Sequence, residues 1–222
     1  MFKKPRWRST SIWMGWTYGN ENQNTATVIQ RLPSLDTPFS SWATMNQTHS
    51  DIVYSVDQSG NVGEGDGLIT SEKGLGLVIQ TADCVPVFLI ADGDSGPQIA
   101  AVHAGWRGVA NRIVVKTVEQ MGTVHTAIIG PCIGVNRYEV GEEVIEAMVE
   151  AGIPREICTQ ERTPRPHLDC RLAVGHQLRE CNIRIIETNG GCTFSDKGWA
   201  SYRRDGKKAG RILSVIGMVE GQ

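Results

Sequence analysis

The alternation of apolar and polar positions changes character near Trp42. Residues 1–40 are rich in Asn, Thr, Ser and Pro without a sustained period, and read as a variable N-terminal arm with room for one short strand or helix. From Trp42 onward, "SWATMNQTHSDIVYSV" alternates and ends in β-branched residues, "GEGDGLIT" carries turn glycines, and "GLGLVIQTADCVPVFLIAD" is rich in strand formers. "PQIAAVHAGWRG" predicts a further strand that stops at Gly105, so His103 falls at a strand end. "VANRIVVKTVEQMG" then places Val109, Ile113, Val114, Thr117, Val118 and Met121 at helical spacing and ends on Gly122, a natural C-terminal stop.

Farther along, "HTAIIGPCIG" predicts a short buried strand and a Gly-Pro loop. "EVGEEVIEAMVEAGI" predicts a helix whose early glutamates suit the positive end of its dipole. "LDCRLAVGHQLRECNI" predicts another, with Leu168, Leu172, Val174, Leu178 and Cys181 as its apolar stripe. "IRIIETNGGCTF" reads as strand then turn, "SDKGWASYRRDGKKAG" as a polar basic loop, and "RILSVIGM" as a terminal strand. Strands outnumber helices and do not alternate strictly with them. The pattern predicts an α+β fold, a single layered domain over residues 1–222 with a mixed β-sheet core flanked by helices, rather than a doubly wound sheet.

Composition narrows the function classes. Lys plus Arg number 22 against 24 Asp plus Glu, so neither a basic nucleic-acid footprint nor a membrane-surface patch is evident. Apolar runs such as "VPVFLIA" fall well short of the roughly 18 residues of a membrane span. The basic opening lacks the unbroken apolar core of an export signal. A soluble, cytoplasmic protein is expected, its six widely spaced cysteines free thiols, with no C-x-x-C pair to suggest a zinc ribbon.

Three residues of metal-binding type lie near predicted strand ends: His49 in "NQTHSD", Cys84 in "TADCVP" and His103 in "AVHAGWRG". Two imidazoles and a thiolate, leaving a fourth position open, would make a catalytic zinc site. Their separations of 35 and 19 residues match no local zinc motif. A buried core thiol at Cys84 and a hydrogen-bonded imidazole at His103 therefore stay open as alternatives. Gly105, Arg107 and Gly108 lie at the mouth of the helix predicted from Val109, where free N–H groups and an Arg fork suit an anion. Asp66 between two glycines, and Arg203 and Arg204 in "SYRRDG", are further candidates for phosphate or substrate contact. Asp83 is a weak candidate for orienting a ligand histidine, because strand neighbours point to opposite faces. Cys132 has no helpfully spaced histidine to activate it. His125, His167 and His176 are taken as structural or solvated.

In order, "NQTHSDIV", "GDGLIT", "TADCVPVFL", "AAVHAGWRGVANRIV", "IGPCIG", "RYEVGEEV", "CTF" and "SYRRDGKKAGR" resemble the YfiH-like laccase-domain family, also called multicopper polyphenol oxidase-like. The succession of "TADCVPV" and "VHAGWRG" is the most specific part. The resemblance implies a metal centre at His49, Cys84 and His103, with zinc as the usual metal and copper as the basis of the older name. It implies a purine nucleoside enzyme performing phosphorolysis of adenosine, inosine and 5'-methylthioadenosine and deamination of adenosine, acting on small molecules. Some bacterial members are assigned instead to peptidoglycan precursor editing. A metal-free Cys-His hydrolase would leave His49 idle, and multicopper oxidation needs far more imidazoles than the five His present. Departures are the absence of an Arg-Gly-Gly stretch in the arm, Asn136 and Arg137 after "GPCIG", and "GWA" before "SYRR".

Overall fold

In the computed structural model, which describes residues 6–7, 10–17 and 37–220, the strand-rich stretches form two six-stranded mixed sheets stacked face to face. The first runs β1 (Arg6–Trp7), β2 (Thr10–Trp16), β14 (Ile212–Glu220), β7 (Leu75–Thr81), β3 (Ser41–Asn46) and β5 (Gly60–Glu64). The second runs β13 (Ile185–Thr188), β10 (Thr123–Ile129), β8 (Val85–Gly93), β9 (Gly96–Ala104), β6 (Gly67–Thr70) and β4 (Val53–Ser55). A minimal hairpin joins β11 (Thr159–Gln160) to β12 (His167–Leu168). The α+β class is as expected, but there are two sheets rather than one, and the main helices cover one side only.

Those helices are α1 (Trp106–Ala110), α2 (Ile113–Glu119), α3 (Glu142–Glu150), α4 (Arg155–Cys158) and α5 (Cys170–Glu180), packed on the second sheet. That sheet is therefore buried on both faces, which explains the continuous apolar run of β8. Val85, Val87, Leu89 and Ala91 face the helices, while Phe88 and Ile90 face the first sheet. The outer face of the first sheet carries Trp13, Phe39 and Trp42, with edge-to-face ring pairs at 5.8 and 5.9 Å. Gly217 makes room for Phe39, whose ring would lie 2.4 Å from a Cβ there.

Three local expectations change. The helix predicted from Val109 starts at Trp106 and breaks at Arg112, which adopts a left-handed φ of 61°. The break has a tertiary cause: Arg112 Nη1 donates to Ala151 O at 2.6 Å, and the Val109 carbonyl accepts Gln177 Nε2 at 2.8 Å. In α5 the apolar stripe is displaced, with Leu172 exposed and Gln177 buried; Leu168 belongs to β12 and Asp169 caps the helix by accepting from Leu172 N. The basic loop contains a short helix, α6 (Tyr202–Asp205), capped by Ser201, and a 3-10 turn after it. Among the described residues no helix is long and apolar enough to cross a membrane, and all six cysteines are free.

The arm contributes more than its composition indicates. β2 pairs antiparallel with β14 from Trp16↔Ser214 to Thr10↔Glu220, and Ile12, Met14 and Trp16 enter the layer between the sheets. Trp16 stacks on Phe88 of the opposite sheet at 5.5 Å. Trp16→Ala should lower unfolding free energy by about 3–5 kcal/mol in urea titrations; a loss below about 1 kcal/mol would mean that the arm is dispensable to the core.

Candidate metal centre and cavity

The site forms where the chain passes from one sheet to the other. The β3–β4 connection carries His49, the β5–β6 connection carries Asp66, and the β7–β8 connection carries Cys84, each crossing from the first sheet to the second. His103 joins them from the end of β9, beside β6. The ligand atoms of His49, Cys84 and His103 all lie within 4.8 Å of one another, with Cys84 Sγ 3.8 Å from His49 Nε2 and the imidazole centroids 4.9 Å apart. Gly105 closes in behind them, and a Cβ there would lie 2.8 Å from His49 Cδ2 and 3.3 Å from Cys84 Sγ.

Asp66 organises this cluster. Expected to reach substrate, it is instead fully buried behind the histidines and absent from the cavity wall. One carboxylate oxygen accepts His103 Nδ1–H at 2.6 Å and the His49 amide at 3.2 Å. The other accepts the amides of Thr48 at 3.2 Å and Ser50 at 2.6 Å, and the Ser50 hydroxyl at 2.7 Å. The left-handed φ of 61° at His49 lets three successive amides converge on one anion. An ionised carboxylate only accepts, so it fixes the proton on His103 Nδ1 and leaves Nε2 as the donor atom for a metal. Burial pushes the Asp66 carboxyl up, but the bonds from His103 and Ser50 prevail and hold it at about 2.

The thiol and imidazole charge each other. Burial raises the Cys84 thiol, but the adjacent imidazoles of His103 and His49 outweigh it and draw the group below the usual thiol range. Burial lowers His103, yet the Cys84 thiolate and Asp66 more than reverse this. Without a cation, the cluster therefore favours a thiolate–imidazolium pair, so the sulfur is already in its ligating form and a metal would take the place of the proton on His103 Nε2. One thiolate and two imidazoles, with Nδ1 of one imidazole tied to a carboxylate, fit a zinc site with an open position.

The cluster opens into a cavity of about 610 Å³. Trp106, Arg107, Tyr138, Arg203 and Arg211 also line it. Arg107 lies inside the first turn of α1, so it offers its guanidinium rather than a helix mouth; that group sits 4.4 Å from the Trp106 ring centroid. Arg203 donates to Glu139 O at 2.8 Å and lies 5.1 Å from the Tyr138 ring centroid. Arg204 does not line the cavity: its guanidinium donates to the carbonyls of Thr193 and Trp199 and pairs with Asp205. Asp83 does not orient a histidine; it accepts Thr193 Oγ1 and the Arg203 amide, each at 2.6 Å. Tyr138 and Trp106 were present in "RYEV" and "GWRG", but nothing in their spacing marks them as cavity walls.

Two outcomes follow from the Asp66 geometry. Asp66→Asn should weaken metal binding by about 10–100-fold in chelator competition, whereas unchanged affinity would remove its orienting role. In metal-free protein, the folded carboxyl lies below its ordinary 3.8, so its stabilising contribution is present above that pH and disappears as pH falls toward about 2. Urea titrations across this acid range should show a steeper loss in the native protein than in Asp66→Asn; parallel curves would contradict the assignment.

The sequence model described as "Multi-copper polyphenol oxidoreductase laccase" matches residues 4–219. A purine nucleoside phosphorylase from Deinococcus radiodurans is 38% identical over 184 residues, covering 80% of this chain and 70% of that protein. Among solved structures, YlmD from Geobacillus stearothermophilus has a TM-score of 0.82 at 25% identity and covers 99% of both chains. The hypothetical protein YfiH of Bacillus licheniformis has a TM-score of 0.81 at 24% identity, covering 94% of this chain and 96% of that one, a likeness of fold. On a match spanning both sheets and every residue of the cluster, this chain belongs to the multi-copper polyphenol oxidoreductase laccase family.

Proposed function

We propose that the chain is a zinc-dependent purine nucleoside phosphorylase that cleaves adenosine, inosine and 5'-methylthioadenosine and also deaminates adenosine. The observation carrying this reading is that His49, Cys84 and His103 converge on the same cavity that Arg107, Arg203 and Tyr138 line. The name of the Deinococcus radiodurans relative supports the phosphorylase part. The His2Cys donor set also suits blue-copper sites, so zinc rests on the resemblance to nucleoside enzymes.

In phosphorolysis a phosphate oxygen forms a bond to the anomeric carbon of ribose while the carbon–nitrogen bond breaks. The electron pair leaves with the purine, which takes up the proton that phosphate gives up, so the products are the free base and ribose 1-phosphate, or its 5-methylthio analogue from 5'-methylthioadenosine. Arg107 and Arg203 bind and orient the phosphate, lowering the entropy cost of bringing two substrates together. Their charge also offsets that of the anion as it enters a partly dry cavity. Burial pushes the Tyr138 phenol well above its ordinary value, so Oη keeps its proton at neutral pH and can donate a hydrogen bond to the substrate. Zinc, when held by His49, Cys84 and His103, supplies Lewis acidity that polarises substrate atoms and lowers the pKa of water to about 7.

Chromatography of purified, zinc-loaded protein with adenosine, with and without phosphate, tests both activities: free adenine reports cleavage and inosine reports deamination. Cys84→Ala should lose both zinc and turnover, while stoichiometric zinc in that variant would refute the ligand assignment. Arg107→Ala should raise the phosphate KM by about tenfold or more. An unchanged phosphate KM would take Arg107 out of anion binding, and no turnover of any of the three nucleosides would reject the phosphorylase reading.

A further inference from the structure

Asp83 sits beside Cys84 in the β7–β8 connection, 8% exposed and at a left-handed φ of 91°. Its backbone and its side chain have separate anchoring duties. The carbonyl accepts Ile133 N–H at 3.0 Å, which ties the Cys84 turn to the loop after β10 whatever side chain occupies position 83. The carboxylate faces another part of the chain. Oδ1 accepts the hydroxyl of fully buried Thr193, and Oδ2 accepts the amide of Arg203.

That amide belongs to the first turn of α6, a helix of four residues. So short an element has little internal stability, and its orphan N–H groups need acceptors. Ser201 Oγ accepts from Arg204 N at 3.2 Å, leaving the Arg203 amide to Asp83. At its other end Arg203 donates to Glu139 O beside Tyr138. Its backbone and guanidinium are therefore pinned from different segments.

We propose that Asp83 is a positioning residue that fixes Arg203 against the cavity and so couples the Cys84 turn to the phosphate site. This rests on the phosphate role proposed above for Arg203. The carboxylate acts by holding a hydrogen-bonded geometry rather than by its charge, and the two contributions are separable. An Asn can present Oδ1 to the Arg203 amide and Nδ2 to the Thr193 oxygen, because a hydroxyl both donates and accepts. It also tolerates positive φ. An Ala leaves the buried Thr193 hydroxyl and the Arg203 amide without this acceptor.

Calorimetric titration of zinc-loaded protein with inorganic phosphate, without nucleoside, tests this directly. Asp83→Ala should bind phosphate about tenfold more weakly, while Asp83→Asn stays within about threefold of the native affinity. Both should retain zinc, because the Ile133 anchor of the turn survives. In an Arg203→Ala background, Asp83→Ala should cause no further loss, since a residue acting through another is non-additive with it. Equal weakening in the Ala and Asn variants, additive losses in the cycle, loss of zinc from Asp83→Asn, or undiminished affinity in Asp83→Ala would each overturn the proposal. Native protein that binds no phosphate would overturn it too. Native protein that binds phosphate but leaves nucleosides intact would overturn only the phosphorylase reading.

Discussion

One buried carboxylate holds the centre together. Asp66 brings an anion into the interior, which is costly unless every lone pair finds a donor. Here the donors come from two of the three candidate ligands, through the His103 ring and the His49 amide, with Thr48 and Ser50 completing the set. The bonds that stabilise the carboxylate therefore set the loop conformation, the imidazole tautomer and the facing of the two rings. Removing that anion affects the fold locally and the chemistry at once.

The two-sheet architecture explains why such a centre forms at this end of the molecule. Successive crossings from one sheet to the other are short, and their turns meet beside the end of β9. A short crossing leaves few backbone states, so side chains mounted there are placed precisely without a long loop to order. The second sheet, buried on both faces, supplies the rigidity, while the cluster opens into the cavity.

Much of this was legible in the chain. Alternating and continuous apolar runs marked the principal strands, and His49, Cys84 and His103 stood out by residue type and position. The illegible parts depended on tertiary partners. Strand β2 was hidden because its few large residues, Ile12, Trp13, Met14 and Trp16, fall within a longer stretch rich in Asn, Thr, Ser and Pro that shows no sustained period. The break at Arg112 depends on Ala151 and Gln177, both remote in sequence. Strand-neighbour reasoning rightly turned Asp83 away from the ligand histidines but could not show its partners, and the flanking glycines of Asp66 suggested an open turn where the carboxylate is buried. Asp83 occupies a left-handed turn, and Asp66 faces inward toward donors that only folding brings near. Arg203 and Arg204 looked equivalent in sequence, yet only Arg203 lines the cavity, while Arg204 satisfies loop carbonyls.

The zinc assignment and the phosphate wall are separable claims, and the first is central. X-ray absorption at the zinc edge of protein loaded with one equivalent reads the coordination shell without reference to turnover. The account predicts a single sulfur at about 2.3 Å with two imidazole nitrogens at about 2.0 Å. A shell of nitrogen and oxygen without sulfur would contradict it.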